Sequence, residues 1–187
     1  MSGLKNIFLN NKNDSKLNIK GLKVGFLIIV AMWGYFFAET IFPSLRYAVG
    51  IEPRIFSIGN VMSLFLSWIS HENMSHILNN SIVLFTTLSF VCIFEKRVVS
   101  LLFSMIFLNS VYVWLLGEPH SIHIGASGLI YSCFGFMFFS LFLFKRFIYA
   151  IPLIIYSFVF GISYFLSLFN GLIPKDGVSF SGHLGGL

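Results

Sequence analysis

At 187 residues the chain has room for one domain and none for a second globular unit of ordinary size. With 57% hydrophobic and 18% aromatic residues against only 10% charged, its composition is far from that of a soluble domain and requires a membrane protein of several spans. The net charge of +5 therefore matters by where it lies.

Residues 1–21 form a polar, basic tail. Lys5, Lys12, Lys16 and Lys20 are spread among Asn and Ser without interleaved aromatics, so they read as the flank of a span and exclude a nucleic-acid partner. Residues 22–187 form the membrane domain. A first span runs from about Leu22 to Phe42 and stops at Pro43; it is too long for a signal-peptide core and lacks a small-residue cleavage site, so it is retained. A second covers about His76 to Phe94, a third Val98 to Leu116, a fourth Ser127 to the Lys145-Arg146 pair, and a fifth Phe147 to Phe169. Each is close to the roughly 20 apolar residues that cross a hydrocarbon core. Pro152 falls in the first turns of the fifth, where a missing N–H costs least. The sixth begins near Gly182, and the few residues to Leu187 cannot cross a bilayer, so the sixth helix is expected to be truncated. Cys92 and Cys133 lie inside apolar runs and read as packed thiols.

Lys and Arg concentrate in cytoplasmic loops, which sets the direction of these spans. The tail side carries Lys5, Lys12, Lys16, Lys20, Lys23, Lys96, Arg97, Lys145 and Arg146; the opposite side carries Arg46, Arg54 and Lys175, which completes the twelve. The N-terminus is expected in the cytoplasm. The starts of spans two, four and six then share the outer face, where His71, His76, Asn80, Ser127 and His183 cluster with His120 and His123.

Spacing sorts these residues. His76 and Asn80 are four apart, about 40° around a helix, and share a face, as do Ser127 and Tyr131. His71 and His76 are five apart, about 140°, so His71 belongs to the loop or first turn. The same offset is one residue longer than the His-Glu-x-x-His zinc pattern, so no metal is expected. A serine at a helix start lies where unpaired N–H groups and the helix dipole stabilise an oxyanion, and a neutral His183 is a suitable base for it. Gly125 and Gly128 permit close approach, and Gly128, Ser132 and Gly135 form a small-residue strip against which the start of span six can press. The string Gly125-Ala126-Ser127-Gly128 alone would arise by chance in about one chain in twenty of this length. Its alignment with the other polar residues is what distinguishes it.

Together these residues resemble the rhomboid family of intramembrane serine proteases, whose pattern is H-x-x-x-x-H-x-x-x-N at span two, G-x-S-G at span four and a Gly-flanked His at span six. The matches are His71, His76 and Asn80; Gly125 to Gly128; and Gly182-His183-Leu184-Gly185-Gly186, within a resemblance covering roughly Pro43 to Leu187. It implies an all-α polytopic membrane protein, a six-helix rhomboid-like bundle in a bacterial inner or plasma membrane. It implies Ser127 as nucleophile, His183 as base, and an oxyanion hole of His76, Asn80 and the Ser127 N–H. Tyr131 would pack on the catalytic imidazole, with Gly125, Gly128 and His71 in support and no cofactor. The acids, Asp14, Glu39, Glu52, Glu72, Glu95, Glu118 and Asp176, are not expected in the core. Substrates by resemblance are single-span transmembrane proteins in the lipid bilayer, cut near the outer boundary. The loop from Asn170 to Ser181, with Gly171, Pro174 and Gly177, is expected to be a mobile cap on the cavity. The loop from Pro43 to Ser70 departs from the family: the usual Trp-Arg pair is missing, and Ser63 stands where the Arg is expected. A rhomboid-like protein that binds membrane clients without cutting them is the alternative, although such relatives usually lose the Ser or the His. A transporter would carry mid-span charges or paired repeats, and neither is evident.

Overall fold

A computed structural model of the protein describes residues 19–159 and 179–187. In chain order the helices are α1 (Ile19–Ile41), α2 (Ser44–Val49), α3 (Ile58–Leu66), α4 (Met74–Phe94), α5 (Val98–Leu116), α6 (Ser127–Phe142), α7 (Ala150–Val159) and α8 (Phe180–Gly186). Single 3₁₀ turns at Ser67–Ile69 and Phe147–Tyr149 lead towards α4 and into α7. The only β feature among the described residues is an isolated bridge between Ile51 and His123. The tail to Asn18, the far part of the fifth span and the expected cap up to residue 178 lie outside the described residues.

Three of these helices, α1, α4 and α5, are long and apolar enough to cross a membrane. The third span falls at the expected residues because Glu95-Lys96-Arg97 and Gly117-Glu118-Pro119 bracket a run too apolar to end anywhere else. α4 starts two residues before His76 because the Asn73 side chain accepts the His76 N–H at 2.9 Å and caps the helix. Both cysteines are free and fully buried, as packed thiols should be.

The centre of the bundle is α6, which buries every residue from Gly128 to Gly135. Its 16 residues give about 24 Å of helix. A hydrocarbon core is about 30 Å thick, so a helix of this length does not reach both surfaces. Leu129, Ile130, Cys133, Phe134 and Met137 of α6 meet Ile77, Leu84, Leu88 and Val91 of α4, Leu102 and Met105 of α5, and Met32 and Phe36 of α1 in one continuous core. A hydrogen bond from the Trp33 indole to Ser81 Oγ at 3.0 Å ties α1 to α4. At the end of the bundle away from Ser127, Arg146 forms a 2.6 Å ion pair with Glu95 and stacks over the Tyr149 ring, while the buried Tyr149 hydroxyl donates to the same carboxylate.

The stretch from Pro43 to Ser70, expected as a loop, folds into α2, α3 and a 3₁₀ turn. Asn60 organises it: its amide nitrogen donates to the carbonyls of Glu52 and Ile55, and its oxygen accepts the Glu52 N–H. Phe65 stacks on Phe103 and Phe107 with centroids 5.5 Å from each, which docks α3 on α5. Ser63 is buried and, among the described residues, its hydroxyl bonds within its own helix, to the Gly59 carbonyl. Arg46 of this stretch donates to the carbonyls of His71 and Glu72.

Candidate active site

His76 occupies the first turn of α4 and Asn80 the next, on the face turned towards the turn that precedes α6. There Gly125 has a φ of +108°, a conformation that side chains strongly disfavour, and a Cβ on it would come within 3.0 Å of the His76 ring. The same hypothetical atom would lie 3.7 Å from Asn80 Nδ2. Glycine thus lets the backbone just before Ser127 lie flat against both side chains. Asn80 is buried and its Nδ2 has no hydrogen-bond partner among the described residues. A buried donor without a protein acceptor is costly, and it is one that solvent or a ligand can satisfy.

His71 lies in the loop before α4, as its offset from His76 requires, and is fully buried. From the loop its ring meets that of His76 edge-on, with centroids 5.1 Å apart, which a continuous helix could not achieve. Its Nδ1 faces the Ile69 carbonyl at 3.2 Å and so carries the proton. Nε2 then accepts the N–H of Ala126, the residue before Ser127, at 3.4 Å. Burial holds this imidazole down at about 4, with His76 adding to the effect and the Ile69 bond opposing it. His71 is therefore neutral at ordinary pH, the form that can accept from Ala126.

Glu39 corrects the expectation that no acid enters the core. It is 3% exposed near the end of α1, where its carboxylate accepts the Ser70 hydroxyl and, at 3.3 Å, the His71 N–H. It holds the backbone on which His71 is mounted.

α8 approaches from the other side. A Cβ on Gly186 would sit 2.5 Å from the Gly128 carbonyl oxygen and 2.7 Å from Tyr131 Cβ, and one on Gly185 would meet the Tyr112 ring at 2.6 Å. A Cβ on Gly135 would meet the backbone of Leu187 at about 3 Å, so α8 presses on Gly135 and on the backbone of Gly128 and Ser132. This contact stacks the His183 ring on Tyr131, with centroids 4.3 Å and planes 22° apart. Both residues are buried, whereas Ser127 is half-buried at the start of α6. Ser127 and Gly182 line one small, half-open cleft with Gly125, Ser67, Asn109, His123 and Ser179. Asn109, invisible to the sequence reading inside an apolar span, donates to the Gly182 carbonyl at 2.6 Å. Its oxygen also occupies the space a Gly128 side chain would need. His120 is exposed and takes no part.

An all-helical, multi-pass membrane bundle, with a cleft at the start of a short central helix, is the class of protein these features define. The chain belongs to the rhomboid family: the profile described as Rhomboid domain matches residues 58–187, from α3 through α8. Members of that family are generally intramembrane serine proteases that act on transmembrane substrates. Comparison with curated proteins finds no match.

Proposed function

We propose that the protein is an intramembrane serine endopeptidase that hydrolyses single-span membrane proteins near the outer boundary of the bilayer. Ser127 attacks the substrate carbonyl while His183 takes its proton, and the resulting oxyanion is held by Asn80 Nδ2, His76 and the Ser127 N–H. His183 then protonates the leaving amine and afterwards deprotonates the water that releases the acyl group. The Tyr131 stack orients the imidazole, the task a carboxylate performs in a triad. The observation that carries this reading is the buried, unpartnered Asn80 amide beside the turn that delivers Ser127. Nine of twelve Lys and Arg on the tail side support a cytoplasmic N-terminus and an outward-facing cleft, where water has access.

The test is labelling of the full-length protein with a fluorophosphonate, together with cleavage of a single-span reporter in proteoliposomes. Ser127→Ala should lose both signals, and His183→Ala should lose cleavage and react with the probe at a small fraction of the wild-type rate. Undiminished cleavage by Ser127→Ala refutes the assignment. Binding of the reporter without labelling or cleavage by the unaltered protein favours a client-binding role instead.

A further inference from the structure

The first turn of α8 is held from two sides by hydrogen bonds whose directions can all be assigned. Ser121 Oγ donates to the Glu118 carbonyl at 2.5 Å, so its single hydrogen is used. It must accept from His123 Nε2, 2.7 Å away, which makes Nε2 the protonated nitrogen. His123 Nδ1 is then an acceptor, and its partner at 2.7 Å is the hydroxyl of Ser179. Ser179 in turn accepts the Gly182 N–H at 3.1 Å as the cap of α8. From the opposite side Asn109 donates to the carbonyl of the same Gly182.

His123 is itself rigidly mounted. Its N–H and carbonyl pair with Ile51 at 2.9 and 3.0 Å, and its side chain is buried. Burial also moves its pKa downward, against the opposing pull of Glu118, which favours the neutral ring. Both peptide groups that flank the Cα of Gly182, immediately before His183, are thereby fixed to elements distant in sequence. The packing of α8 sets its depth, but these bonds oppose rotation and sliding along α6.

We propose that His123, acting through Ser179, and Asn109 are positioning residues that set the register of His183 against Ser127. This rests on the reading of His183 as the base. Both residues also line the cleft beside Ser127, but the bonds traced above act through α8 on the geometry of proton transfer, so their effect falls on kcat and leaves KM near its original value.

The experiment measures kcat and KM for the reporter in proteoliposomes, with thermal unfolding of every variant. The variants are His123→Leu, His123→Asn, Ser179→Ala, the His123→Leu/Ser179→Ala pair and Asn109→Leu. His123→Leu, Ser179→Ala and Asn109→Leu should each lower kcat about 10- to 100-fold with KM within about twofold, as expected for a misplacement near 1 Å. The pair should be no worse than its weaker member, because both changes break one chain of bonds. Asn can present an acceptor near the position of Nδ1, so His123→Asn should recover most of kcat, and this rescue separates positioning from general loss of fold. Additive losses in the pair, a change confined to KM, or His123→Asn as slow as His123→Leu overturns the proposal. Ser127→Ala serves as reference. If it is inactive while the clamp variants keep full kcat, the clamp alone is wrong; if it cleaves normally, the reading of the site is wrong.

Discussion

Gly186→Ala places a methyl group 2.5 Å from the Gly128 carbonyl oxygen, 2.7 Å from Tyr131 Cβ and 3.0 Å from Ser132 N. Two of these three atoms are backbone of α6, the most buried helix of the bundle, so a rotamer change cannot relieve the clash. Restoring 3.4 Å of ordinary contact moves α8 outward by about 0.9 Å. Overpacking of this kind costs about 1–3 kcal/mol, offset in part by the roughly 1 kcal/mol by which Ala exceeds Gly in helix propensity. Stability should therefore fall by no more than about 2 kcal/mol. Activity should fall much further, because a displacement near 1 Å carries the His183 ring with it and can cost about 100-fold in rate. The assay is reporter cleavage in proteoliposomes alongside the rate of fluorophosphonate labelling. Gly34→Ala is the control, since a Cβ there meets nothing within 4 Å, and it should keep the original kcat. Wild-type kcat and labelling rate in Gly186→Ala would refute the reasoning, because they would mean that the separation of α6 and α8 does not govern the site.

Asn80→Ala should lower kcat by about 100- to 1,000-fold through loss of one oxyanion donor. Its melting temperature should stay level or rise, because the deleted donor has no partner to lose. Acid should destabilise the protein through His71: its folded pKa of about 4 lies below the unfolded value of 6.5, so the stability from keeping it neutral is complete above about pH 6.5. That stability drains as pH falls towards 4, by about 3 kcal/mol in all, and chemical unfolding measured across this window should show a shallower pH slope in His71→Asn. Glu39→Leu leaves the Ser70 hydroxyl and the His71 N–H buried without their acceptor, a loss of about 2–5 kcal/mol that equilibrium unfolding will detect. Glu39→Gln, which keeps one acceptor oxygen, should lose clearly less.

The spans were legible because the property that makes them, an apolar run between charged or turn-forming residues, is written locally in the chain. Val98–Leu116 is the clearest case. The residues proposed for chemistry were legible for another reason: His76 and Asn80 share a helix face by their spacing, and Ser127 starts a helix after a small-residue Gly-Ala pair. What escaped are partnerships with no spacing rule. Glu39 finds Ser70 31 residues away, His123 finds Ser179 at 56, and Asn109 finds Gly182 at 73. In a one-dimensional reading Asn109 is one of a few polar residues in an apolar span, and Glu39 is an acid near the end of a span. The Pro43–Ser70 stretch was opaque because α2 and α3 are short, and the Asn60 bonds and the Phe65 stack hold them in place more than any periodicity does.

The Glu95–Tyr149–Arg146 cluster has a mechanical consequence for the opposite end of the molecule. By fastening the turn after α6 to the foot of α4, it makes that foot a pivot. A rod fixed at one end swings most at the other, and for α6 the other end is Ser127, about 24 Å away. Loosening the cluster, for example with Arg146→Gln, should therefore broaden the motion of Ser127 without touching any residue of the cleft.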